Sequence, residues 1–320
     1  MGYAIISLIL FSALQLFIFI AKKISIIDIP NHRSSHKNIT IRGGGIIFPI
    51  AILLIPLIVN FQNYFFFIGL IIISTISFID DIKPLSVKLR FLFQIIAIIL
   101  LLVDIGSNNI PFWIWPVLII TITGVINAFN FMDGINGITG TYSLSIVSSV
   151  YLTNNYLCLF IENEILIIIT IAILIFLFYN FRRKAVFFAG DVGSVSIAYI
   201  LIFLIIKLIV VSNNLIFILF FAVYGIDSTL TILIRLKNKE NIFEAHRKHL
   251  YQLFSNELKV PHLIISSIYA LIQFSICLTI TFAVKYIKSP LTIWFIGLVI
   301  LLMLTVSYFY IRNRITTRIS

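Results

Sequence analysis

Charge is what this sequence has least of. Only 11% of its 320 residues are Asp, Glu, Lys or Arg, against 61% hydrophobic, and the mean hydropathy is +1.13. A soluble domain of this size needs far more charge to cover its surface, which excludes an ordinary globular fold. Cysteine is nearly absent as well. Cys158 and Cys277 lie in or beside apolar stretches without metal-ligand spacing, and read as small hydrophobes. No basic stretch precedes the first apolar run, whereas Lys22 and Lys23 follow it, so residues 4–21 are expected to be a retained helix rather than a secretory leader. There is no convincing internal repeat, nor the inverted pair of broken helices that transporters use. Acidic residues are scarce, twelve against 23 basic ones, yet the resulting +11 does not point to nucleic acid. In a chain this apolar, basic residues are explained by loops held on the cytoplasmic side of a membrane, and no nucleic-acid partner is expected.

Long apolar runs are what the chain does have. A spanning helix needs about 20 such residues. Polar breaks divide the sequence into about eleven runs: 4–21, 45–60, 64–79, 91–103, 112–128, 138–153, 164–180, 194–211, 215–234, 262–284 and 290–311. The expected fold is all-α, a polytopic membrane protein of about 11 transmembrane helices in one domain over 1–320. Alternate loops fall into two sets. Residues 22–44, 80–90, 129–137, 181–193, 235–261 and 312–320 hold 20 of the 23 Lys and Arg residues. That asymmetry predicts this set in the cytoplasm, the N-terminus outside and the C-terminus inside.

Four polar clusters break the apolar pattern, all in or beside the basic set of loops. Ionisable residues at the ends of spanning helices are costly near hydrocarbon and usually serve a purpose. Asp80-Asp81 ends one apolar run, followed by Lys83, Lys88 and Arg90. Two adjacent carboxylates at a helix C-terminus repel each other and oppose the helix dipole, so a bound Mg²⁺ or the nearby Lys88 and Arg90 are expected to offset them; a solvated helix end is the alternative. Asn127, Asn130, Asp133 and Asn136 recur every third residue, which on a helix places them roughly on one face, with Gly134 and Gly137 allowing a turn or a close ligand. Polar packing between helices is the other reading. In the third cluster, Ala189-Gly190-Asp191-Val192-Gly193-Ser194 follows Arg182, Arg183 and Lys184. Asp191 could simply cap the next span, and Gly-x-x-Gly is a weak phosphate-loop signal. Gly43-Gly44-Gly45 after Arg42 is equally weak. In the last, Ala245-His246-Arg247-Lys248-His249, the basic neighbours repel a metal and favour an anion, either a diphosphate or lipid headgroups. Asp227, inside a span, is a further suspect.

Together these segments resemble the polyprenyl-phosphate N-acetylhexosamine-1-phosphate transferases, glycosyltransferase family 4, which includes MraY-, WecA- and TagO-type enzymes. The motifs run in order over residues 28–252: Arg33-Ser34-Ser35-His36 with Arg42-Gly43-Gly44-Gly45, Phe78-Ile79-Asp80-Asp81, Asn127 to Gly137, Gly190 to Ser194, and Ala245 to Gln252. The first and last are more similar to WbpL-like enzymes that start O-antigen or related glycans. MraY-type enzymes carry three histidines where this chain has His246-Arg247-Lys248-His249. Ile39 and Ile41 stand where relatives often have prolines, and Tyr224 replaces a frequent proline before Asp227.

The resemblance implies a transmembrane catalytic domain in a bacterial cytoplasmic membrane, with active-site loops near 22–44, 80–90, 127–137, 181–194 and 235–261 facing the cytoplasm. It implies transfer of N-acetylhexosamine-1-phosphate from a UDP-N-acetylhexosamine to undecaprenyl phosphate, with release of UMP. Asn130 and Asp191 would ligate Mg²⁺, with Mn²⁺ as a substitute. Phe188 would lie against uracil, with Asn136 and the loop glycines shaping the nucleoside pocket. Arg90, His246, Arg247 and His249 would hold phosphate oxygens, and Arg42, Lys88, Asn127 and Asp133 would be further substrate-binding residues. Asp80 and Asp81 would join Asp191 at the reacting groups, as base, nucleophile or orienting group. A lipid phosphate monoester is largely ionised at pH 7, so it hardly needs a base, and direct displacement is expected. A peptidoglycan-precursor transferase of the MraY type and a secondary transporter of an anionic solute are the rival readings. Relatives that dimerise leave a homodimer open, though no residue here indicates one.

Overall fold

A computed structural model describes residues 2–28, 39–106, 110–241 and 246–319, with side chains as far as residue 317. The chain folds into helices α1 (Gly2–Lys23), α2 (Ile47–Leu53), α3 (Tyr64–Ile82), α4 (Val87–Gly106), α5 (Trp115–Met132), α6 (Ile138–Tyr156), α7 (Asn163–Asn180), α8 (Gly190–Ser212), α9 (Ala222–Lys237), α10 (Leu250–Gln252), α11 (His262–Tyr286) and α12 (Pro290–Ile319). The described strands are β1 (Ile27–Asp28) and β2 (Thr40–Ile41), paired antiparallel with Ile27 opposite Ile41. Among the described residues, nine helices are long and apolar enough to cross a membrane, matching nine of about eleven apolar runs. The expected motif Arg33-Ser34-Ser35-His36 and Ala245 lie outside the described residues.

Two of the eleven expected spans take unexpected forms. Run 45–60 is not one helix. Gly44–Ile46 is a 3₁₀ turn, α2 follows, and Ile55–Leu57 is a second 3₁₀ turn containing Pro56. The segment nevertheless traverses the bundle. Gly45 lies against Gly193, whereas Phe61 packs on Phe203 at 6.0 Å, ten residues further along α8, or about 15 Å of helix. The other exception is α6, long enough to span but rich in Ser and Thr. Several of its buried hydroxyls bond within the helix: Ser149 donates to the Ser145 carbonyl at 2.8 Å and Thr153 to the Ser149 carbonyl at 2.8 Å. Hydroxyls paired this way can be placed between helices at little cost. Tyr142 adds a 2.7 Å bond to Gln273 of α11.

The axis of the bundle is α8. It is the most buried of the nine, continuously enclosed from Val192 to Ile205 apart from Val195. Around it pack α3, α5, α6 and the Gly44–Leu57 segment. Phe66 of α3 stacks on Phe203 at 4.1 Å, and Tyr199 donates to the Ala97 carbonyl at 2.9 Å. The ends of α3, α5 and α9 and the starts of α4, α6, α8 and α11 meet at one end of the bundle. All the clusters expected to carry chemistry lie there.

Candidate active site

The start of α8 is held by a carboxylate from another helix. Asp81, in the last turn of α3, accepts the first-turn N–H groups of Asp191 at 2.8 Å and Val192 at 3.0 Å. Helix-start amides otherwise lack partners and carry partial positive charge, so an anion there is stabilising. Arg42 Nε adds a 2.6 Å ion pair to the same carboxylate, which is fully buried. Asp80 is committed differently, accepting Leu85 N–H at 2.6 Å and pairing with Arg90 at 2.9 Å. The predicted conflict of two acids at a helix C-terminus is therefore resolved by α8, Arg42 and Arg90. Lys88 plays no part in it. Gly190 turns into α8 with φ +73°, and a Cβ there would strike the Asp81 carboxylate. Because Asp81 takes these amides, the Gly-x-x-Gly segment does not cradle a phosphate through them. Asp191 does not cap its own helix.

Freed from that duty, Asp191 projects between two guanidinium groups. Arg42 Nη2 lies 2.7 Å from Oδ1, and Arg90 Nη1 lies 3.4 Å from Oδ2. Burial disfavours the Arg42 charge, but Asp81 and Asp191 more than offset it and raise its pKa. Three carboxylates thus face two guanidinium groups, leaving one formal negative charge. Asn130, on α5, donates to Ser194 Oγ at 3.3 Å and stands beside Asp191 at the same junction.

The expected Asn/Asp face is split where α5 stops. Asn127 stays on α5 and donates to the Thr123 carbonyl at 3.0 Å. Asp133 is the residue after the helix, with φ −83° and ψ 50°. It accepts the Thr139 hydroxyl at 2.5 Å. Asn136 is buried, and its amide donates to the carbonyls of Arg182 at 2.8 Å and Arg183 at 3.3 Å. This ties the basic loop after α7 to the start of α6. Gly137 completes the turn at φ +85°.

Asp133 is an acid outside the spans with a raised pKa, about 7. Burial is the main cause; Thr139 and Arg42 oppose it, and the charges of Asp191 and Asp81 add to it. Between pH 4 and 7 the folded protein therefore holds a proton that the unfolded chain releases, so stability falls as pH rises through that window. Asp133→Asn removes the titration. Its thermal stability relative to wild type is expected to improve from pH 5 to pH 8 by on the order of 1 kcal/mol, read as melting temperatures in detergent. An unchanged difference between the two pH values would show that Asp133 is ionised throughout.

In the segment before α10, His246 and His249 lie 4.8 Å apart, ring to ring. Burial, then His249, Arg235 and Lys248, lower the His246 pKa to about 4, so His246 is neutral at pH 7. The Lys248 N–H donates to its Nδ1 at 3.3 Å. Tyr251 follows, fully buried, and donates to the Phe131 carbonyl at 2.9 Å. Its hydroxyl occupies the space a side chain at Gly134 would need.

Two cavities of unlike character open at this end. The larger, about 850 Å³, is walled by apolar groups of α3, α4, α5 and α9, among them Ile73, Phe91, Phe129 and Ile232. Its polar end carries Arg90, His246 and His249, with Asn127 on its wall. The smaller, about 230 Å³, is mostly polar and includes Arg42, Asp133, Asn136, Phe188 and His262. Asn130, Asp191 and Gln252 line both. Asp80, Asp81, Lys88 and Arg247 line neither, and Lys88 is exposed. Gln252 stands in the sequence only as the end of a motif, and His262, not among the expected site residues, is marked there by nothing more than a histidine at a helix start.

The Glycosyl transferase family 4 profile matches residues 63–209. The chain is 27% identical over 256 residues to a probable undecaprenyl-phosphate N-acetylglucosaminyl 1-phosphate transferase of Bacillus subtilis (strain 168), covering 72% of this chain and 70% of that one. It is 29% identical over 197 residues to a phospho-N-acetylmuramoyl-pentapeptide-transferase of Petrotoga mobilis (strain DSM 10674 / SJ95), covering 52% and 60%. A third relative is the undecaprenyl-phosphate alpha-N-acetylglucosaminyl 1-phosphate transferase of Salmonella typhi, 27% identical over 236 residues, covering 63% and 61%.

Proposed function

Because the chain belongs to glycosyl transferase family 4, we propose that it moves an N-acetylhexosamine-1-phosphate from a UDP-sugar onto undecaprenyl phosphate. The observation that carries this reading is the meeting of an apolar and a polar cavity at Asn130, Asp191 and Gln252. An amphiphilic phosphate fits the first, with its chain among Ile73, Phe91 and Ile232 and its head at Arg90, His246 and His249. A nucleotide fits the second, with its base against Phe188 and its diphosphate toward Arg42. The product would initiate a cell-surface polysaccharide such as O-antigen. The bundle end bearing the site would face the cytoplasm, since it carries the basic loops.

In this reaction an oxygen of the lipid phosphate attacks the sugar-bearing phosphorus of the UDP-sugar. The bond from that phosphorus to the bridging oxygen breaks, and UMP leaves. Phosphoryl transfer depends mainly on positioning and charge neutralisation. Arg42 and Arg90 bring guanidinium groups to the junction, where phosphate oxygens would compete with Asp191 for them. The lipid phosphate is already largely ionised at pH 7, so no side chain is required to remove a proton. Asp80 and Asp81 act here by fixing Arg90, Arg42 and the start of α8.

A hard divalent cation fits the residues present. Among the described residues no trio of His, Cys, Asp or Glu forms a preformed cage. Mg²⁺, however, is commonly held by one or two protein oxygens together with substrate phosphates. Asp191 and Asn130 would hold it, and the cluster's uncompensated negative charge favours it. When bound, Mg²⁺ or Mn²⁺ would neutralise charge developing on the diphosphate.

The decisive assay combines purified protein, undecaprenyl phosphate, Mg²⁺ and a panel of UDP-N-acetylhexosamines, with UDP-MurNAc-pentapeptide included for the MraY-type alternative. Lipid-linked product is read by mass or radiolabel; none with any donor would sink the reading. Gly124 and Gly225 line the larger cavity and have open space where a side chain would project. Gly124→Leu should keep the fold, since Leu favours helix by about 1 kcal/mol over Gly. It is expected to raise KM for the polyprenyl phosphate about tenfold with KM for the UDP-sugar unchanged. An unchanged lipid KM would remove the acceptor from this groove.

A further inference from the structure

Asp227 is buried in α9, 3% exposed, and belongs to neither cavity. Both of its oxygens are occupied. Oδ1 accepts the Leu250 N–H at 2.9 Å and the Thr231 hydroxyl at 3.3 Å. Oδ2 accepts the Tyr269 hydroxyl at 2.8 Å and the Tyr251 N–H at 3.4 Å. Leu250 and Tyr251 begin α10, so this acid caps a helix from another part of the chain, as Asp81 does for α8. α10 has only three helical residues before a π-helical turn, too few to hold their orientation without such a partner.

The residue positioned by that cap is His249. Its Nδ1 lies 3.4 Å from Asp227 Oδ1. The ring is 1% exposed and packs near those of Phe131, His246 and Tyr251 at 6.2, 4.8 and 6.0 Å. Both ring nitrogens are buried without a hydrogen-bond partner: Nδ1 faces Asp227 across 3.4 Å, and Nε2 lies on the opposite edge of the ring. His249 lines the larger cavity together with Arg90 and Asp191. A buried ring nitrogen left unpaired is expensive unless something else satisfies it.

We propose that Asp227 is a positioning residue: it caps α10 and holds the His249 ring with its Nδ1 edge toward α9, so that Nε2 is presented to the phosphate head of the acceptor. A carboxylate on one imidazole nitrogen fixes which nitrogen faces the ligand. The same acid also ties the ring to α9 and, through Tyr269, to α11. This role presupposes the transfer reaction proposed above.

A double-mutant cycle tests it, with wild-type turnover as the reference that separates failure of the reaction from failure of this role. Asp227→Asn keeps the shape and an acceptor oxygen. It is expected to lower kcat/KM for the polyprenyl phosphate about 10- to 100-fold, with KM for the UDP-sugar unchanged. In a His249→Ala background the same change should have almost no further effect, because Asp227 acts through that ring. Tyr269→Phe, which removes one donor to Asp227 without touching His249, repeats the cycle if Asp227→Asn does not fold. A loss of a few-fold, abolished in the His249→Ala background, is expected. Full activity in the single variants, or equal losses in both backgrounds, would overturn the role. Wild-type protein with no transfer to lipid would instead overturn the reaction.

Discussion

Asp191→Asn is expected to lower kcat by about a thousandfold or more while leaving the melting temperature close to that of wild type. Stability should survive because neither arginine is stranded. Arg42 keeps Asp81 at 2.6 Å and Arg90 keeps Asp80 at 2.9 Å. Catalysis should not survive, since Asp191 is the carboxylate that lines both cavities. A readout independent of turnover is Mn²⁺ binding followed by electron paramagnetic resonance. Wild type should bind weakly alone, because Arg42 and Arg90 occupy the carboxylate, and more tightly with UDP-sugar, whose phosphates draw those arginines away. Coupling of this kind is reciprocal, so Mn²⁺ should tighten the nucleotide by the same factor. Asp191→Asn should abolish the coupling. Retained turnover in the variant would end the metal role of Asp191.

The spans were legible because a bilayer leaves few options: backbone groups must pair within each segment, so helices follow wherever apolar runs are long enough. The form of run 45–60 was not legible. Pro49 and Pro56 mark interruptions, but only Gly45 against Gly193 explains how a segment with one seven-residue helix can lie so close to α8. The polar clusters were legible for the same reason as the spans. Polarity at the end of an apolar run needs an explanation, and four such places converge at one end of the bundle.

Partnerships across the chain were what composition and spacing could not reveal. Asp81 and Asp191 are 110 positions apart, and the bond between them decides between readings that local sequence left open. Asp191 was open to capping its own helix or to holding a metal, and Asp81 was expected at the reacting groups. The fold makes Asp81 the cap and releases Asp191. A similar limit applies to Asn136. Three-residue spacing placed it on one face with Asn127 and Asn130, but α5 ends at Met132, and Asn136 turns away to hold the carbonyls of Arg182 and Arg183. No periodicity marks that stop; Gly134, Gly137 and the docking of Tyr251 do.

The division of labour between the neighbouring acids leads to the largest expected effect on stability. Asp81→Ala leaves two first-turn amides of α8 without their acceptor and removes the closer partner of Arg42. Loss of a cap costs about 1 kcal/mol, and each buried amide left unpaired adds to it. The ion pair contributes less than its distance suggests, because Arg42 is one-third exposed and keeps Asp191. The sum is about 2 to 4 kcal/mol, read as a lower melting temperature in detergent. Activity should fall too, since Asp191 sits in the turn that loosens. That loss should be partly recovered at low temperature and smaller in Asp81→Asn, which retains one acceptor oxygen. A group taking part directly in the chemistry would behave differently: both variants would be inactive at every temperature, with the fold intact. A stable, inactive Asp81→Ala would return Asp81 to the reaction itself; an unstable one that regains turnover in the cold would leave it as the cap on which Asp191 depends.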